Sequence, residues 1–229
     1  MNLTYAIGDI HGRDSLLEKM YSRIENDLYR SAQINKPTVI HIGDYIDGGP
    51  NSDKVLGLIM RGSSRFDSIS LLGNHEALML DCLETDDRDV WWNWISNGGD
   101  KTLEALGVSN RFGGCDPKTL ADALGAERIN WLRNLPLYHL ANPYLFVHAG
   151  IVPDRPLSEQ KRKDMLWIRS RFLDSDVKHP YVVVHGHTQT EGPECLPNRI
   201  NIDTGAARPQ TLTAVVLDGV SPPRFISAS

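Results

Sequence analysis

The sequence predicts an α/β fold built on a mostly parallel sheet, and two observations carry this prediction. Five apolar, strand-like runs each end in Asp, Asn or His beside a glycine, and helical patterns separate the first three runs. A strand-helix-strand-helix-strand order is typical of a mostly parallel sheet. Because ligands bind outside the carboxyl ends of strands in open α/β sheets, we expect the polar residues at these ends to form one site.

The run from Val39 to Pro50 is the centre of this pattern. Its β-branched strand ends in Gly43-Asp44, and the glycine-rich turn that follows carries a second carboxylate, Asp47. Such a run indicates a buried strand that delivers one carboxylate at its tip. The other four runs end in the same way, at Gly8-Asp9-Ile10-His11-Gly12, Gly73-Asn74-His75-Glu76, His148-Ala149-Gly150 and His185-Gly186-His187-Thr188.

The helices of the first half follow from local patterns. Ser15-Leu16-Leu17-Glu18 has the capping-box spacing, and apolar residues recur every four positions from Leu16 to Leu28. This spacing predicts a helix with one buried face. A second helix is predicted over Ser52–Met60 and a third over Glu76–Leu83.

Residues 84–135 break this alternation. An acidic loop leads to Trp91, Trp92 and Trp94, and short helices are predicted over Asp100–Leu106, Pro117–Leu124 and Glu127–Leu132. We interpret the segment as a helical insertion beside the site, within one domain that spans residues 1–229. The three tryptophans are expected to pack in the core of this insertion; a wall on which a base or peptide stacks is the alternative.

Strands are predicted again in the second half. They cover Leu137–Leu140, Tyr144–His148, Tyr181–His185, Arg199–Asp203 and Thr211–Leu217. The last two lie close together with a turn between them, which favours antiparallel pairing. The charged stretch between the second and third of these strands is expected to be helical around Asp164–Arg171.

Composition narrows the class of protein. The chain has 229 residues, a hydrophobic fraction of 41% and a net charge of −5, which predict a globular protein that binds neither nucleic acid nor an anionic membrane. The three cysteines are far apart and form no CxxC pair, which favours a reducing compartment. The first residues run directly into a predicted strand, so we expect no signal peptide and a cytoplasmic location.

The residue types at the strand ends indicate a site for divalent cations. Six side chains offer carboxylate, carboxamide or imidazole ligands: Asp9, His11, Asp44, Asn74, His148 and His187. These ligands suit Mn, Fe, Zn and similar ions, and six are more than a structural zinc needs. They suit two ions that share one carboxylate and clamp phosphoryl oxygens, and Asp44 is centrally placed to be shared. His185 is the alternative to His187, although strand register favours His187.

In this order, the five motifs resemble the signature of the calcineurin-like metallophosphoesterases. The nearest branch is the phosphoprotein phosphatase type, which includes bacterial and phage serine/threonine phosphatases and the symmetrical diadenosine tetraphosphate hydrolases. The resemblance extends from Gly8 to Thr188, which is most of the chain. It implies a central β-sandwich of mixed sheets flanked by helices, with a two-metal site at the strand tips.

The resemblance also implies a role for each motif residue. One ion would bind Asp9, His11 and Asp44, and the other would bind Asp44, Asn74, His148 and His187. A hydroxide between the ions would attack phosphorus, and His75, oriented by Asp47, would protonate the leaving oxygen. The implied cofactors are two divalent ions; Mn²⁺ is favoured, and Fe, Zn, Ni and Mg are the alternatives.

Two positions depart from the resembled pattern. The family usually has an arginine where Gly48 stands, and its phosphoprotein phosphatases often have another where Leu72 stands; both normally grip phosphate oxygens. Arg169 resembles a third arginine of the family and is the expected substrate-binding cation. The further candidates for substrate contact are Asn74, Arg13 and Arg208.

We therefore expect a metal-dependent phosphomonoesterase of the serine/threonine protein phosphatase type, whose partner is a phosphoprotein or a small phosphate ester. The two absent arginines keep a dinucleoside polyphosphate hydrolase or a phosphodiesterase open as the alternative. A metal-binding interaction module without catalysis is a third hypothesis, against which the intact pair His75 and Asp47 argues.

Overall fold

The computed structural model describes residues 2–31, 36–110, 114–207 and 210–229. The strands in this part of the chain are β1 (Thr4–Ile7), β2 (Thr38–His41), β3 (Asp67–Ser70), β4 (Tyr138–Ala141), β5 (Tyr144–Val147), β6 (Val182–His185), β7 (Glu194–Cys195), β8 (Arg199–Asn201), β9 (Leu212–Leu217) and β10 (Arg224–Ala228). The α-helices are α1 (Asp14–Ser31), α2 (Ser52–Arg61), α3 (Asn74–Cys82), α4 (Arg88–Trp94), α5 (Asp100–Ala105), α6 (Pro117–Leu124), α7 (Ala126–Arg133), α8 (Arg162–Trp167) and α9 (Ser170–Leu173). A π-helical turn over Ile95–Gly99 joins α4 to α5.

The strands form two mixed sheets. In the first sheet, which has the order β10-β9-β1-β2-β3, the strands β1, β2 and β3 are parallel, and β9 runs antiparallel to both β1 and β10. In the second, with the order β4-β5-β6-β8-β7, the strands β5, β6 and β8 are parallel and the two edge strands are antiparallel. The parallel arrangement of β1, β2 and β3 agrees with the strand-helix alternation predicted for them.

The hydrophobic core lies in three layers. Side chains such as Ile40 from the first sheet and Phe146 from the second belong to one buried cluster between the sheets. Because successive side chains of a strand point to opposite faces, Val39 instead packs with Leu17 of α1 on the helical side of the first sheet. Met165 of α8 covers the outer face of the second sheet. These layers confirm the expected β-sandwich flanked by helices.

One predicted pairing is wrong. The segments Arg199–Asp203 and Thr211–Leu217 were expected to pair with each other, but β8 pairs with β6 and β7 in the second sheet, whereas β9 pairs with β1 and β10 in the first. The chain therefore crosses from one sheet to the other between them. Both strands are buried along their whole length because each lies inside a sheet. The prediction failed because two strands that are close in sequence need not belong to the same sheet.

The helical insertion contains one helix that the sequence did not predict. Helix α4 carries the three tryptophans, and its N-cap residue Asp87 accepts a hydrogen bond from the backbone N–H of Asp89. Trp91 and Trp94 are buried in the core, as expected, whereas the side chain of Trp92 is 64% exposed. Within the described residues, no helix is both long and apolar enough to cross a lipid bilayer.

Candidate metal centre and catalytic site

The carboxyl ends of strands from both sheets meet at one edge of the sandwich. Each strand end delivers one predicted ligand, in the order Asp9 after β1, Asp44 after β2, Asn74 at the start of α3, His148 after β5 and His187 after β6. Two hydrogen bonds join the sheets there. The backbone N–H of His187 donates to Asp9 Oδ2 at 2.9 Å, and His148 Nδ1 lies 3.1 Å from the carbonyl oxygen of Ile42.

Two groups of possible metal ligands share Asp44. His11, Asp44 and His75 each offer a ligand atom within 4.8 Å of the others, and so do Asp44, His148 and His187. The first group contains His75, the predicted proton donor, and neither group includes Asp9, the third predicted ligand of the first ion. Asp44 Oδ2 lies 3.9 Å from His11 Nε2, and Asp44 Oδ1 lies 3.4 Å from His148 Nε2. One carboxylate therefore faces both groups, which is the arrangement that a pair of ions requires.

Backbone carbonyl groups orient two of the imidazoles. His11 Nδ1 lies 3.1 Å from the carbonyl oxygen of Ile46, and His148 Nδ1 contacts that of Ile42 at the same distance. Each Nδ1–H donates to its carbonyl, so each Nε2 presents a lone pair to the centre, as is usual for metal-binding histidines. His148 Nε2 lies 2.7 Å from Asn74 Oδ1, close enough for both atoms to bind one cation.

Two buried atoms of the site have no hydrogen-bond partner. They are Asp9 Oδ1 and His187 Nε2. Burial and the neighbouring carboxylates of Asp203 and Asp44 raise the pKa of Asp9, while burial and the nearby His148 lower the pKa of His187 to about 3. A divalent cation would offset the repulsion between these buried carboxylates, and it would bind the free lone pair of the neutral imidazole. The residues present are therefore suited to hold two such ions.

The imidazoles stabilise the charge of the shared carboxylate. Burial alone would raise the pKa of Asp44, but the positive charge that His148, His75, His11 and His187 carry when protonated outweighs burial and holds this pKa well below its usual range. An ionised carboxylate offers both oxygen atoms to cations. Asp44 is thus kept in the form that two ions could share.

His75 forms a pair with Asp47. His75 Nδ1 lies 2.7 Å from Asp47 Oδ2, and His75 Nε2 lies 3.8 Å from Asp44 Oδ2. Burial lowers the pKa of His75, but the charge of Asp44 and the hydrogen bond to Asp47 outweigh burial and raise it to about 9. An imidazolium held by a carboxylate, with its second N–H directed to the centre, can act as a proton donor. Asp47 also accepts hydrogen bonds from Trp94 and Thr102 of the insertion.

Glu76 fixes the backbone on which these groups stand. Its buried carboxylate accepts hydrogen bonds from the N–H groups of Asp44 at 2.9 Å, Tyr45 at 2.7 Å, Ile46 at 3.2 Å and Gly73 at 3.1 Å. This side chain ties the turn after β2 to the start of α3. Glu76 ends the motif Gly73-Asn74-His75-Glu76, but the sequence assigned it no role.

Backbone strain concentrates in the same place. The site residues with left-handed conformations are His11 at φ 49°, Asp44 at φ 52°, Asp47 at φ 69° and His187 at φ 64°. Such conformations are unfavourable for residues with a β-carbon and persist where the surrounding structure holds them. Gly73 is required for a related reason, since a β-carbon there would lie 2.2 Å from the backbone nitrogen of Asp44.

The alternative ligand lies away from both groups. His185 is fully buried, and its ring packs edge-on against Phe172 with centroids 5.1 Å apart. His187, and not His185, shares a group with Asp44 and His148. His187 therefore remains the predicted ligand.

Two of the arginines predicted to contact the substrate lie at the rim of the site. Arg169 Nη1 donates to Thr188 Oγ1 at 3.2 Å and to the carbonyl oxygen of His187 at 3.4 Å. Arg13 Nη2 donates to the carbonyl oxygen of Ala207 at 3.0 Å. The third candidate, Arg208, lies outside the described residues.

The two positions that depart from the resembled pattern differ in their surroundings. Leu72 is buried in an apolar cluster with Ala77 and Leu166, so it cannot contact a substrate. A β-carbon at Gly48 would meet only the β-carbons of Ala207 at 3.7 Å and His11 at 4.0 Å. A β-carbon at Gly48 would therefore overlap no atom of the described residues.

Comparison with known proteins agrees with this geometry. Residues 4–208 match the calcineurin-like phosphoesterase family. Serine/threonine-protein phosphatase 2 of Salmonella typhimurium is 30% identical over 224 residues, which cover 88% of this chain and 87% of that protein. The symmetrical bis(5'-nucleosyl)-tetraphosphatase of Dechloromonas aromatica is 30% identical over 154 residues, covering 66% of this chain and 44% of that protein.

A solved structure shares the fold. The cold-active protein tyrosine phosphatase of a psychrophilic Shewanella species superposes with a TM-score of 0.61 at 15% identity, covering 98% of this chain and 80% of that chain. The family match covers most of the chain, and the clustered side chains provide ligands for the metal ions on which the family depends. The chain therefore belongs to the calcineurin-like phosphoesterases, which makes it a metal-dependent hydrolase of phosphoric esters.

Proposed function

We propose that the chain is a phosphomonoesterase of the serine/threonine protein phosphatase type that acts with two divalent ions. One ion would be held by Asp9, His11 and Asp44, and the other by Asp44, Asn74, His148 and His187. When bound, the ions would withdraw charge from the phosphoryl oxygens and make a water nucleophilic at neutral pH. Mn²⁺ suits this mixture of oxygen and nitrogen ligands, and Fe, Zn, Ni and Mg are the alternatives.

One observation carries the catalytic part of the proposal, namely the pair of His75 and Asp47 beside the shared carboxylate. His75 donates Nδ1–H to Asp47 Oδ2 at 2.7 Å, which leaves its Nε2–H directed towards Asp44, 3.8 Å away. A leaving alkoxide is a strong base and needs a proton as the bond to phosphorus breaks. His75 would supply this proton, and Asp47 would hold the ring in the orientation that delivers it.

The choice of a phosphomonoester rests on the relatives. The serine/threonine-protein phosphatase 2 of Salmonella typhimurium combines 30% identity with a match along 87% of its length, whereas the symmetrical tetraphosphatase with the same identity is matched along 44%. The asymmetrical bis(5'-nucleosyl)-tetraphosphatase of Oceanobacillus iheyensis is matched along 86% of its length but at 25% identity. In this proposal, Arg169 and Asn74 contact the phosphoryl oxygens. The Arg169 guanidinium is exposed and lies beside His187, which places a cation at the rim of the centre.

The chain is proposed to act as one metallophosphatase domain with an insertion at about residues 84–135. The side chains of Trp94, Leu103 and Leu120 from the insertion belong to the same buried cluster as Leu17 of α1 and Tyr45 beside the site. An insertion that shares its core with the sandwich adds no separate folding unit.

A second candidate is hydrolysis of dinucleoside polyphosphates, and the glycine at position 48 favours it. With no side chain there, beside His11 and Ala207, the site lacks the cation that would grip a terminal phosphate in the resembled pattern. A bridging phosphate carries less charge than a terminal one, so it needs fewer cations to bind it.

A substrate panel tests the two candidates. The protein with added Mn²⁺ is assayed on phosphoserine and phosphothreonine peptides, p-nitrophenyl phosphate, diadenosine tetraphosphate and bis(p-nitrophenyl) phosphate, with Asp44→Asn as the control for contaminating activity. We expect the highest kcat/KM on the phosphopeptides. A higher kcat/KM on diadenosine tetraphosphate would refute the first candidate and support the second.

A further inference from the structure

The Asp47 carboxylate has more hydrogen-bond donors than its pairing with His75 requires. Trp94 Nε1–H lies 3.2 Å from Oδ1 and 3.0 Å from Oδ2, and the Thr102 hydroxyl donates to Oδ1 at 2.6 Å. Asp47 is fully buried, so these contacts are shielded from water. An ionised carboxylate in such a place is stable only when donors satisfy its oxygens.

Thr102 also holds the backbone of the turn. The backbone N–H of Asp47 donates to Thr102 Oγ1 at 3.0 Å and is 3.2 Å from Ser52 Oγ, and these two hydroxyls lie 3.0 Å apart. Asp47 stands at φ 69°, a conformation that its surroundings must maintain. One threonine thus contacts both the carboxylate and the strained backbone of the same residue.

The chain between Trp94 and Thr102 fits closely against this turn. The carbonyl oxygen of Gly98 accepts a hydrogen bond from Gly48 N–H at 3.2 Å, and a β-carbon on Gly98 would lie 2.9 Å from that nitrogen. Gly99 packs on the indole, because a β-carbon there would lie 2.6 Å from Trp94 Cε2. The residues of the insertion that approach the site are therefore those that hold Asp47.

We infer that Trp94 and Thr102 are positioning residues, which keep the Asp47 carboxylate in the orientation that directs His75 at the leaving oxygen. This inference rests on the proposed role of His75 as proton donor. Neither residue touches the substrate; each acts through Asp47. The helical insertion thereby becomes part of the catalytic apparatus.

A positioning role differs from a purely structural one in its dependence on the leaving group. If Trp94→Phe misdirects His75, the variant loses activity where the leaving oxygen needs a proton and keeps it where the leaving group departs unaided. We expect kcat/KM to fall roughly 10- to 100-fold on a phosphoserine peptide, the value of one hydrogen bond to a charged group. On p-nitrophenyl phosphate it should fall by less than about threefold, since nitrophenolate is a stable anion.

The same helix supplies a matched control. Trp91 is also buried, and its Nε1–H donates to the carbonyl oxygen of Thr85 at 2.9 Å instead of to Asp47. Trp91→Phe removes an indole N–H from the same core and should leave the ratio of the two substrates unchanged. Thr102→Val should show the same selective loss of activity as Trp94→Phe. Thr102→Ser, which keeps the hydroxyl, should retain the activity of the unmodified protein on both substrates.

A double-mutant cycle locates the effect. In a His75→Asn background, Trp94→Phe should cost little further activity on the phosphoserine peptide, because the group that it positions is gone. Equal losses on both substrates, a loss in Trp91→Phe as large as in Trp94→Phe, or additive losses with His75→Asn would each overturn the inference.

A measurement independent of activity separates this inference from the proposed function. The protein is labelled with ¹⁵N-tryptophan and studied by NMR with Mg²⁺, which is diamagnetic. The indole signals of Trp94 and Trp91 are assigned by their absence in the phenylalanine variants. Asp47→Asn should shift the Trp94 signal and leave that of Trp91 in place; an unmoved Trp94 signal would overturn the contact.

A protein that shows this shift but hydrolyses no phosphate ester would refute the proposed function and leave the contact standing. If Asp47→Asn does not fold, the kinetic comparison of Trp94→Phe with Trp91→Phe decides.

Discussion

Lowering the pH should destabilise the fold through His41, which lies at the end of β2, three residues before the shared carboxylate Asp44. The His41 side chain is fully buried, its Nε2 lies 2.8 Å from the Tyr21 hydroxyl, and burial lowers the pKa of His41 from 6.5 to about 4. Between pH 6.5 and about 4, His41 is therefore protonated in the unfolded chain and neutral in the folded chain. The free energy of unfolding thus has its full value above pH 6.5 and declines as the pH falls towards 4.

The magnitude follows from the difference between the two pKa values. Each pH unit between them removes about 1.4 kcal/mol, so that lowering the pH from about 8 to about 5 should cost about 2 kcal/mol through this group alone. In a chain of 229 residues, this corresponds to a fall in Tm of roughly 4–8 °C.

A matched variant isolates the contribution of His41. His41→Gln keeps a polar atom near the Tyr21 hydroxyl but does not titrate. Urea unfolding of both proteins at a series of pH values gives the free energy of unfolding as a function of pH. The other buried histidines contribute equally in both proteins, so the difference between the two curves reports His41. Parallel curves for the two proteins between pH 8 and pH 5 would refute the reasoning. A steeper fall in the unmodified protein would support it.

Three further outcomes are expected. Chelation should abolish turnover, and Mn²⁺ should restore it better than Ca²⁺, which prefers more oxygen ligands; Asp44→Asn should lose more bound metal than any other single ligand variant, as measured by elemental analysis of the purified protein. His75→Asn should slow hydrolysis of a phosphoserine peptide by roughly 10²–10⁴ and that of p-nitrophenyl phosphate much less, and equal losses would show that His75 only positions other groups. Gly48→Arg should lower KM for a monoester roughly 10- to 100-fold relative to Gly48→Ala. The alanine variant is the control, because it carries the same backbone strain at φ 71° without the charge. Equal KM values for the two variants would show that the arginine reaches no phosphate oxygen.

The elements that sequence patterns predicted are those with local signals. The strand tips carrying Asp9, Asp44 and His148 could be found because a buried apolar run leads to a polar residue with a glycine within two positions of it. The parallel order of the first three strands followed from the helices between them. The crossing between β8 and β9 could not be predicted, since partner strands lie far away in sequence.

The supporting contacts of the site were beyond the reach of sequence patterns for the same reason. Trp94 contacts a carboxylate 47 residues earlier in the chain, and Thr102 contacts it across 55 residues. Nothing in the helical spacing of the insertion distinguishes Trp94 from its neighbour Trp91, which makes an ordinary hydrogen bond to a backbone carbonyl. Glu76 stood inside a recognised motif, but its four backbone partners come together only in the folded chain.

The two attachments of the insertion to Asp47 set a limit on how the chain length can vary. Because Trp94 and Thr102 reach the same carboxylate, adding or removing one residue between them would turn one of the two side chains away. Gly107 and Gly125 lie outside the segment between Trp94 and Thr102, and a β-carbon at either would meet no described atom within 4 Å, although both stand at positive φ, 71° and 80°. Peptides are therefore better inserted next to these glycines, with the glycines kept, because such insertions leave the spacing of Trp94 and Thr102 unchanged.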